Sequence, residues 1–467
     1  MKSLFSGWQV KLLLITVGFL VLYPLLMLVY GSFRGGGPGT ETAFNLEGYR
    51  RAFSDSGNYR ILWTTVWLSA VRTLLAMALA IFFAWVVART DTPWRGGLEL
   101  LIWLVFLGLP LLPTTVAWTL LAGPNGFLNQ ALMALLGLQK PLLNIYSYGG
   151  IIWVSVTFWV SIVFIIITPA FRGMDAGLEE SSRMSGASAL TTFRRITGPL
   201  LSPVLLGATL LAFIRMVESF EIELILGYPA RIFVYTTQIW RLLGTIPSDF
   251  PQAMALSNVL LIAVMWLLFF QWRLLGQRQF ITITGRGFST RRTKLGKWRY
   301  VTFSIVILYF ILTFVLPLLT LILGSFMKLW GVWSADPFTL DHWTSTLRDS
   351  RFLRPLRNTL LVGVGAATIG MVLYSLISYI VVKTTFQGRK VLDFVTWLPY
   401  SVPGIVLAMG FLWAYTGGLP MFAPLYGTLW LMMMAFIVRG LPLGCRVMNG
   451  AMHQLGGELE ESSRVLG

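Results

Sequence analysis

The chain has 467 residues, 56% of them hydrophobic and only 12% charged, with 36 Lys and Arg against 19 Asp and Glu. Soluble domains carry about a quarter charged residues, so half that share makes a lipid bilayer the main solvent. The basic excess, +17 in formal charge, lies in short stretches between apolar runs, as membrane anchoring requires and a nucleic-acid-binding face does not; the single cysteine, Cys445, excludes a disulfide framework and a Cys-based metal cage.

Apolar windows of about 20 residues, the length that crosses a hydrocarbon core, recur along the whole chain. They fall near residues 10–31, 61–88, 99–122, 150–170, 203–225, 256–272, 301–324, 358–382, 391–415 and 425–445, giving ten spans. Met1 to Gln9 is weakly basic and no small-residue cleavage site follows the first run, which therefore reads as a retained span and not as a removed signal peptide. Each span is expected to be helical, because lipid offers no partner to exposed backbone groups and the two-residue alternation of a barrel strand is missing. Pro110, Pro113, Pro399 and Pro403 read as kinks tolerated within spans.

Gln271 to Tyr300 holds eight Lys or Arg and no acid. Because it follows the sixth span, this loop and the N-terminus are both expected on the cytoplasmic side. The chain also repeats itself. Gly31-Ser32-Phe33 returns as Gly324-Ser325-Phe326, Phe44-Asn45-Leu46 as Phe338-Thr339-Leu340, and Asp55-Ser56 as Asp349-Ser350. The expected fold is an all-α polytopic transmembrane bundle of two homologous units with six spans each. The first unit covers 1–276, a basic cytoplasmic linker 277–298, and the second unit 299–467, which reads as incomplete because it stops after its fourth span.

One polar stretch occurs once per unit, after the fourth span and on the cytoplasmic side. Leu178-Glu179-Glu180-Ser181-Ser182-Arg183-Met184-Ser185-Gly186 returns as Leu459-Glu460-Glu461-Ser462-Ser463-Arg464-Val465-Leu466-Gly467. Asp175 suits a helix N-cap, with Glu179 and Glu180 near the positive end of the helix dipole. Ser181, Ser182 and Ser185 leave little side-chain bulk, so a partner's backbone can approach closely. Gly186 permits a sharp turn and Pro199 opens the next span.

Glu180-Ser181-Ser182, then Gly186, then nine residues before Ile196-Thr197-Gly198-Pro199, resembles the Glu-Ala-Ala-x-x-x-Gly-x9-Ile-x-Leu-Pro pattern of permease subunits in binding-protein-dependent ABC importers. Ser stands for both Ala and Gly198 for Leu. The fused two-unit layout resembles the ferric-iron permeases, with thiamine and phosphonate permeases as near relatives. The resemblance implies a type I importer permease fold in the bacterial inner membrane, with a pore between the units. It implies that Glu179, Glu180, Ser181, Ser182, Gly186 and Pro199, with Glu460, Glu461, Ser462, Ser463 and Gly467, couple the spans to two ATPase subunits. A periplasmic binding protein would deliver substrate, and ATP and Mg would sit on the ATPase, leaving this chain without a bound cofactor.

The chain has no phosphate-cradling Gly-x-x-x-x-Gly-Lys-Ser/Thr run of its own, so energy is expected from another polypeptide. Arg215, Glu218, Glu221 and Glu223 lie in or at the end of the fifth span, where charges are costly and face a bundle interior or aqueous cavity. Arg215, Glu218 and Glu221 are candidate path residues; Arg215 and Glu218 are one turn apart and can neutralise each other. The alternative for these charges is locking of helix packing or contact with the binding protein. Gly363, Gly365 and Gly370 are candidates for close helix contact. His342 and His453 lack metal-ligand company. The competing function classes are a secondary transporter, which wants paired midplane acids in both units, and a membrane-embedded enzyme, for which no polar catalytic cluster is visible.

Overall fold

The computed structural model describes residues 7–40, 42–173, 181–182, 184–276 and 293–454. Among them the fold is all-helical, with no strand and only isolated bridge pairs. Among the described residues, eight helices are long and apolar enough to cross a membrane: Trp8–Ser32, Ser56–Arg89, Tyr148–Arg172, Arg194–Val217, Phe250–Leu274, Trp298–Phe326, Ser350–Lys383 and Leu429–Gln454. Their hydroxyl side chains bond back to the helix's own carbonyls, as Thr65 does to Ile61, Thr168 to Phe164 and Thr313 to Tyr309, so the polar groups carry their partners into lipid.

The remaining two expected spans, 99–122 and 391–415, are not straight helices with a kink. Arg95–Gly108 meets Leu111–Leu136 at 95°, and Arg389–Ser401 meets Gly404–Thr416 at 111°. A proline disfavours helical dihedrals at the residue before it. Leu109 accordingly sits at φ −137° and ψ 104°, Val402 at φ −105° and ψ 116°, and Pro110 and Pro403 start the next helix. Pro24, Pro169, Pro203, Pro355 and Pro442 lie inside continuous helices instead. The fifth span also ends earlier than the expected 203–225: its helix stops at Val217, just before Glu218.

The two sequence halves repeat in structural detail. Asp55 Oδ1 accepts from the Gly57 N–H at 2.8 Å and Asp349 Oδ1 from the Arg351 N–H at 2.8 Å, each at the start of a 34-residue helix. The Arg351 side chain also bonds Asp349 and holds its carboxyl below the usual carboxylate range. Arg34 bridges Phe44 just as Met327 bridges Phe338.

The chain packs as two compact units that do not follow those halves. One draws on Tyr59–Thr237 and Leu267–Thr344. Its core packs Phe83, Ile102, Phe164 and Ile167, all essentially inaccessible. Within it the Tyr309 hydroxyl accepts from Ser161 Oγ at 2.8 Å and donates to the Thr157 carbonyl at 2.7 Å, joining Trp298–Phe310 to Tyr148–Arg172. Tyr309→Phe is expected to cost about 0.6–1.7 kcal/mol, the range for interhelical bonds in membranes, and a thermal-unfolding series in detergent would read it as a small drop in midpoint.

The other unit draws on Met1–Asn58, Gln238–Trp266 and Ser345–Gly467. Here Gly7–Ser32 crosses Gly404–Thr416 so closely that a Cβ on Gly410 would lie 2.7 Å from the Pro24 carbonyl oxygen. Tyr23 donates to the Ala414 carbonyl at 3.0 Å beside this crossing. Ser350–Lys383 packs on Leu429–Gln454 by seating the Tyr374 ring over Gly440 and Gly444, with its hydroxyl donating to the Ile437 carbonyl at 2.7 Å. Small residues let backbones approach where lipid supplies no hydrophobic push between helices. Of the glycines expected to make close helix contacts, Gly365 meets Met433 of Leu429–Gln454, whereas Gly370 meets only Tyr374 of its own helix and Gly363 has nothing within 4 Å of an added Cβ.

Candidate functional site

Charges converge at one place in the unit built from Tyr59–Thr237 and Leu267–Thr344. Arg72, on Ser56–Arg89, is 1% exposed and Glu223 is 0% exposed. Their ion pair is direct, from Arg72 Nη1 to Glu223 Oε1. The same guanidinium donates from Nε to the Leu68 carbonyl at 3.2 Å, from Nη1 to Ser155 Oγ at 3.2 Å, and from Nη2 to Ser69 Oγ at 3.3 Å and the Met216 carbonyl at 3.1 Å. The second Glu223 oxygen accepts from Ser219 Oγ at 2.6 Å. Every donor and lone pair that matters is matched, which a buried ion pair requires if it is not to cost more than it returns.

The segment carrying Glu223 is irregular backbone at the end of a membrane helix. After Val217 the chain leaves the helix, turns, and resumes a single π-type turn at Glu223–Gly227. Ile222 and Leu226, both inaccessible, anchor that turn against Leu68, Trp118 and Ile151. Past it, the Tyr235 N–H donates to Thr65 Oγ1 at 2.9 Å and Thr236 Oγ1 to the Ser219 carbonyl. Non-helical backbone is tolerated at membrane depth only where protein partners satisfy it.

The expected path residues divide in two. Arg215 and Glu218 form an ion pair, Nη1 to Oε2 at 2.7 Å. Glu221 is exposed and belongs to no ion pair among the described residues. Glu223 goes with Arg72, not with Arg215. The sequence reading overlooked Arg72, Ser69, Ser155 and Ser219. A signal for Arg72 existed: it is an arginine inside an apolar window, and such a charge has to find a counter-charge.

Of the polar motif, Glu179 and Glu180 lie outside the described residues, as do Glu460, Glu461, Ser462, Ser463 and Gly467. Ser181 and Ser182 lie in the helical turn that leads to Gly186. Gly186 has φ +81°, and the Ala187 N–H closes on the Ser182 carbonyl at 3.1 Å, the six-to-one bond of a Schellman cap that a left-handed glycine makes possible. Met184, 88% exposed, projects from this turn. Ser182 Oγ meets Thr192 Oγ1 at 2.9 Å, tying the turn to the next helix, and Pro199 stands in the first turn of Gly198–Val217. The exposed turn therefore runs into the span whose far end carries Met216, the carbonyl bonded to Arg72.

No protein-family model matches the chain. Over 97% of its length it is 27% identical to a ferric transport system permease of Haemophilus influenzae, covering 70% of that protein. Against the ferric transport system permease protein of Actinobacillus pleuropneumoniae the identity is 28% over 97% of this chain and 64% of that protein. The chain thus spans about two thirds of the length of these relatives. It is also 31% identical over 210 residues to the sulfate transport system permease protein CysT of Salmonella typhimurium, covering 42% of this chain and 72% of that protein.

Proposed function

From the premise that the chain belongs to the permease family of ABC transporters, we propose that it is the membrane-spanning subunit of an ATP-driven importer of the ferric-uptake type. Similarity to ferric permeases along nearly the whole chain carries this reading. Substrate arrives from a binding protein on the outer face. Separate ATPase subunits, holding ATP and Mg, grip the motif around Glu180 and that around Glu461 on the cytoplasmic face, and their closure biases the permease between inward-open and outward-open packings. The membrane is the bacterial inner membrane and the N-terminus is cytoplasmic, which the acid-free basic stretch after the sixth expected span supports. In this scheme the turn at Gly186, with Ser181, Met184 and Ser185 exposed, is a surface a partner can approach, and its continuity with Arg194–Val217 gives it leverage on a span. The chain itself performs no chemistry; a ferric ion would be cargo. Thiamine, phosphonate or another small solute is the alternative cargo.

The test is co-purification with the ATPase encoded alongside this chain, wild type against Glu180→Lys. The variant is expected to lose association and uptake of radiolabelled ferric iron at unchanged membrane yield. Undiminished association and ATP-coupled uptake in the variant would overturn the docking role.

A further inference from the structure

Arg72 holds both sides of a break in the chain. Upstream of the break is the span Arg194–Val217, whose Met216 carbonyl accepts from Arg72 Nη2 at 3.1 Å. A cation at the last turn of a helix suits the negative end of the dipole, and Arg72 reinforces the long 3.4 Å contact that the Met216 carbonyl receives from the Ser219 N–H. Downstream is the Glu223–Gly227 turn, bound to the same guanidinium through Glu223. Ser69, on Arg72's own helix Ser56–Arg89, and Ser155, on Tyr148–Arg172, fix the guanidinium from two sides. Several bonds span the break besides the backbone: Ser219 Oγ to Glu223, the Leu224 N–H to the Phe220 carbonyl at 2.8 Å, Thr236 Oγ1 to the Ser219 carbonyl, and this guanidinium, which reaches from Met216 in the helix itself to Glu223.

We propose that Arg72 is a positioning residue for coupling: bonded to Met216 above the break and to Glu223 below it, Arg72 makes the span that leads from the Ser181–Gly186 turn and the Glu223–Gly227 segment move as one body. This rests on the importer reading. A push delivered at the turn travels along a helix of about 30 Å. It reaches the segment bearing exposed Glu221 only if the break does not act as a hinge. The staple removes the hinge.

A purely structural ion pair and a coupling staple differ in one testable respect. Replacing a buried pair by apolar side chains of similar volume is commonly neutral or stabilising, so Arg72→Met with Glu223→Met should fold. The experiment uses the complete complex, permease with its ATPase and binding protein, in proteoliposomes. It reads ATP hydrolysis and uptake of radiolabelled ferric iron in the same vesicles. The double variant is expected to keep wild-type thermal stability and ATP hydrolysis while iron taken up per ATP falls about tenfold. Arg72→Lys, which reaches fewer partners at once, should fall between. Unchanged uptake per ATP in the double variant would overturn the proposal and leave the pair a packing feature. Should the double variant not fold, Ser155→Ala with Ser219→Ala loosens the junction without removing a charge. A two- to threefold fall in uptake per ATP is then expected, and an unchanged ratio overturns the proposal. Absence of any ATP-driven iron uptake by the wild-type complex is a separate result: it removes the ferric importer reading, and this inference with it.

Discussion

Glu223→Ala alone is expected to remove most of the folded protein from the membrane. The substitution deletes a carboxylate and leaves Arg72 charged, 1% exposed and ringed by apolar spans. Arginine does not relieve itself by losing its proton. The hydroxyls of Ser69 and Ser155 and the Met216 carbonyl would still accept from it, but none carries a counter-charge. Breaking a buried pair from one side costs about 3–5 kcal/mol, against about 5–15 kcal/mol for the whole stability of a typical domain. Size-exclusion chromatography after detergent extraction should show the monodisperse fraction falling to a small share of wild type. Glu223→Gln, which keeps an acceptor for Arg72 but not the charge, should lose less. A wild-type elution profile and thermal midpoint for Glu223→Ala would show that the pair is dispensable. The contrast with the paired methionine replacement is the informative part: losing one charge is damaging where losing both is not.

The second large effect concerns Gly410. A leucine there starts with a Cβ 2.7 Å from the Pro24 carbonyl oxygen, a backbone atom that cannot swing aside. The helices Gly7–Ser32 and Gly404–Thr416 would have to separate. That would strain the Tyr23 bond to Ala414 and the edge-on contact between Tyr23 and Tyr415, whose ring centroids are 6.3 Å apart across the crossing. Overpacking of this kind costs about 1–3 kcal/mol, and occasionally more when a backbone must move. Gly363→Leu is the control. It adds the same side chain to a membrane helix at a position with nothing within 4 Å, so its thermal midpoint should stay at the wild-type value. Equal destabilisation by both would mean that the crossing at Gly410 is not the tight point described.

Hydropathy alone located every long membrane helix, because an 18- to 25-residue apolar run in lipid has few alternatives to being a helix. It did not show which prolines break a span. Pro24 and Pro442 sit within continuous helices while Pro110 and Pro403 end them. The outcome depends on whether neighbouring helices re-satisfy the freed carbonyls, which is a tertiary matter. The same holds at the charges. Arg215 and Glu218, three apart on one helix, could be paired from spacing alone. Arg72 and Glu223 are 151 residues apart, and only the fold brings them together. Glycines were harder still: Gly363 and Gly410 look alike in sequence, and only the crossing partner tells them apart. The polar motif was legible as a repeated pattern, and its Gly186 turn follows from the one residue there that accepts φ +81° without strain.

The first helix belongs to the compact unit whose other membrane helices come mainly from the end of the chain. Tyr23 bonds a carbonyl 391 residues later. At synthesis rates of about 5–20 residues per second, Gly7–Ser32 waits about 20–80 s before Gly404–Thr416 exists to receive it. During that interval Gly404–Thr416 is not there to cover it. A helix that is apolar all the way round suits both that interval and the finished fold, in which only 22% of its most apolar stretch is buried by protein. Its sequence answers to the order of manufacture as much as to the final packing.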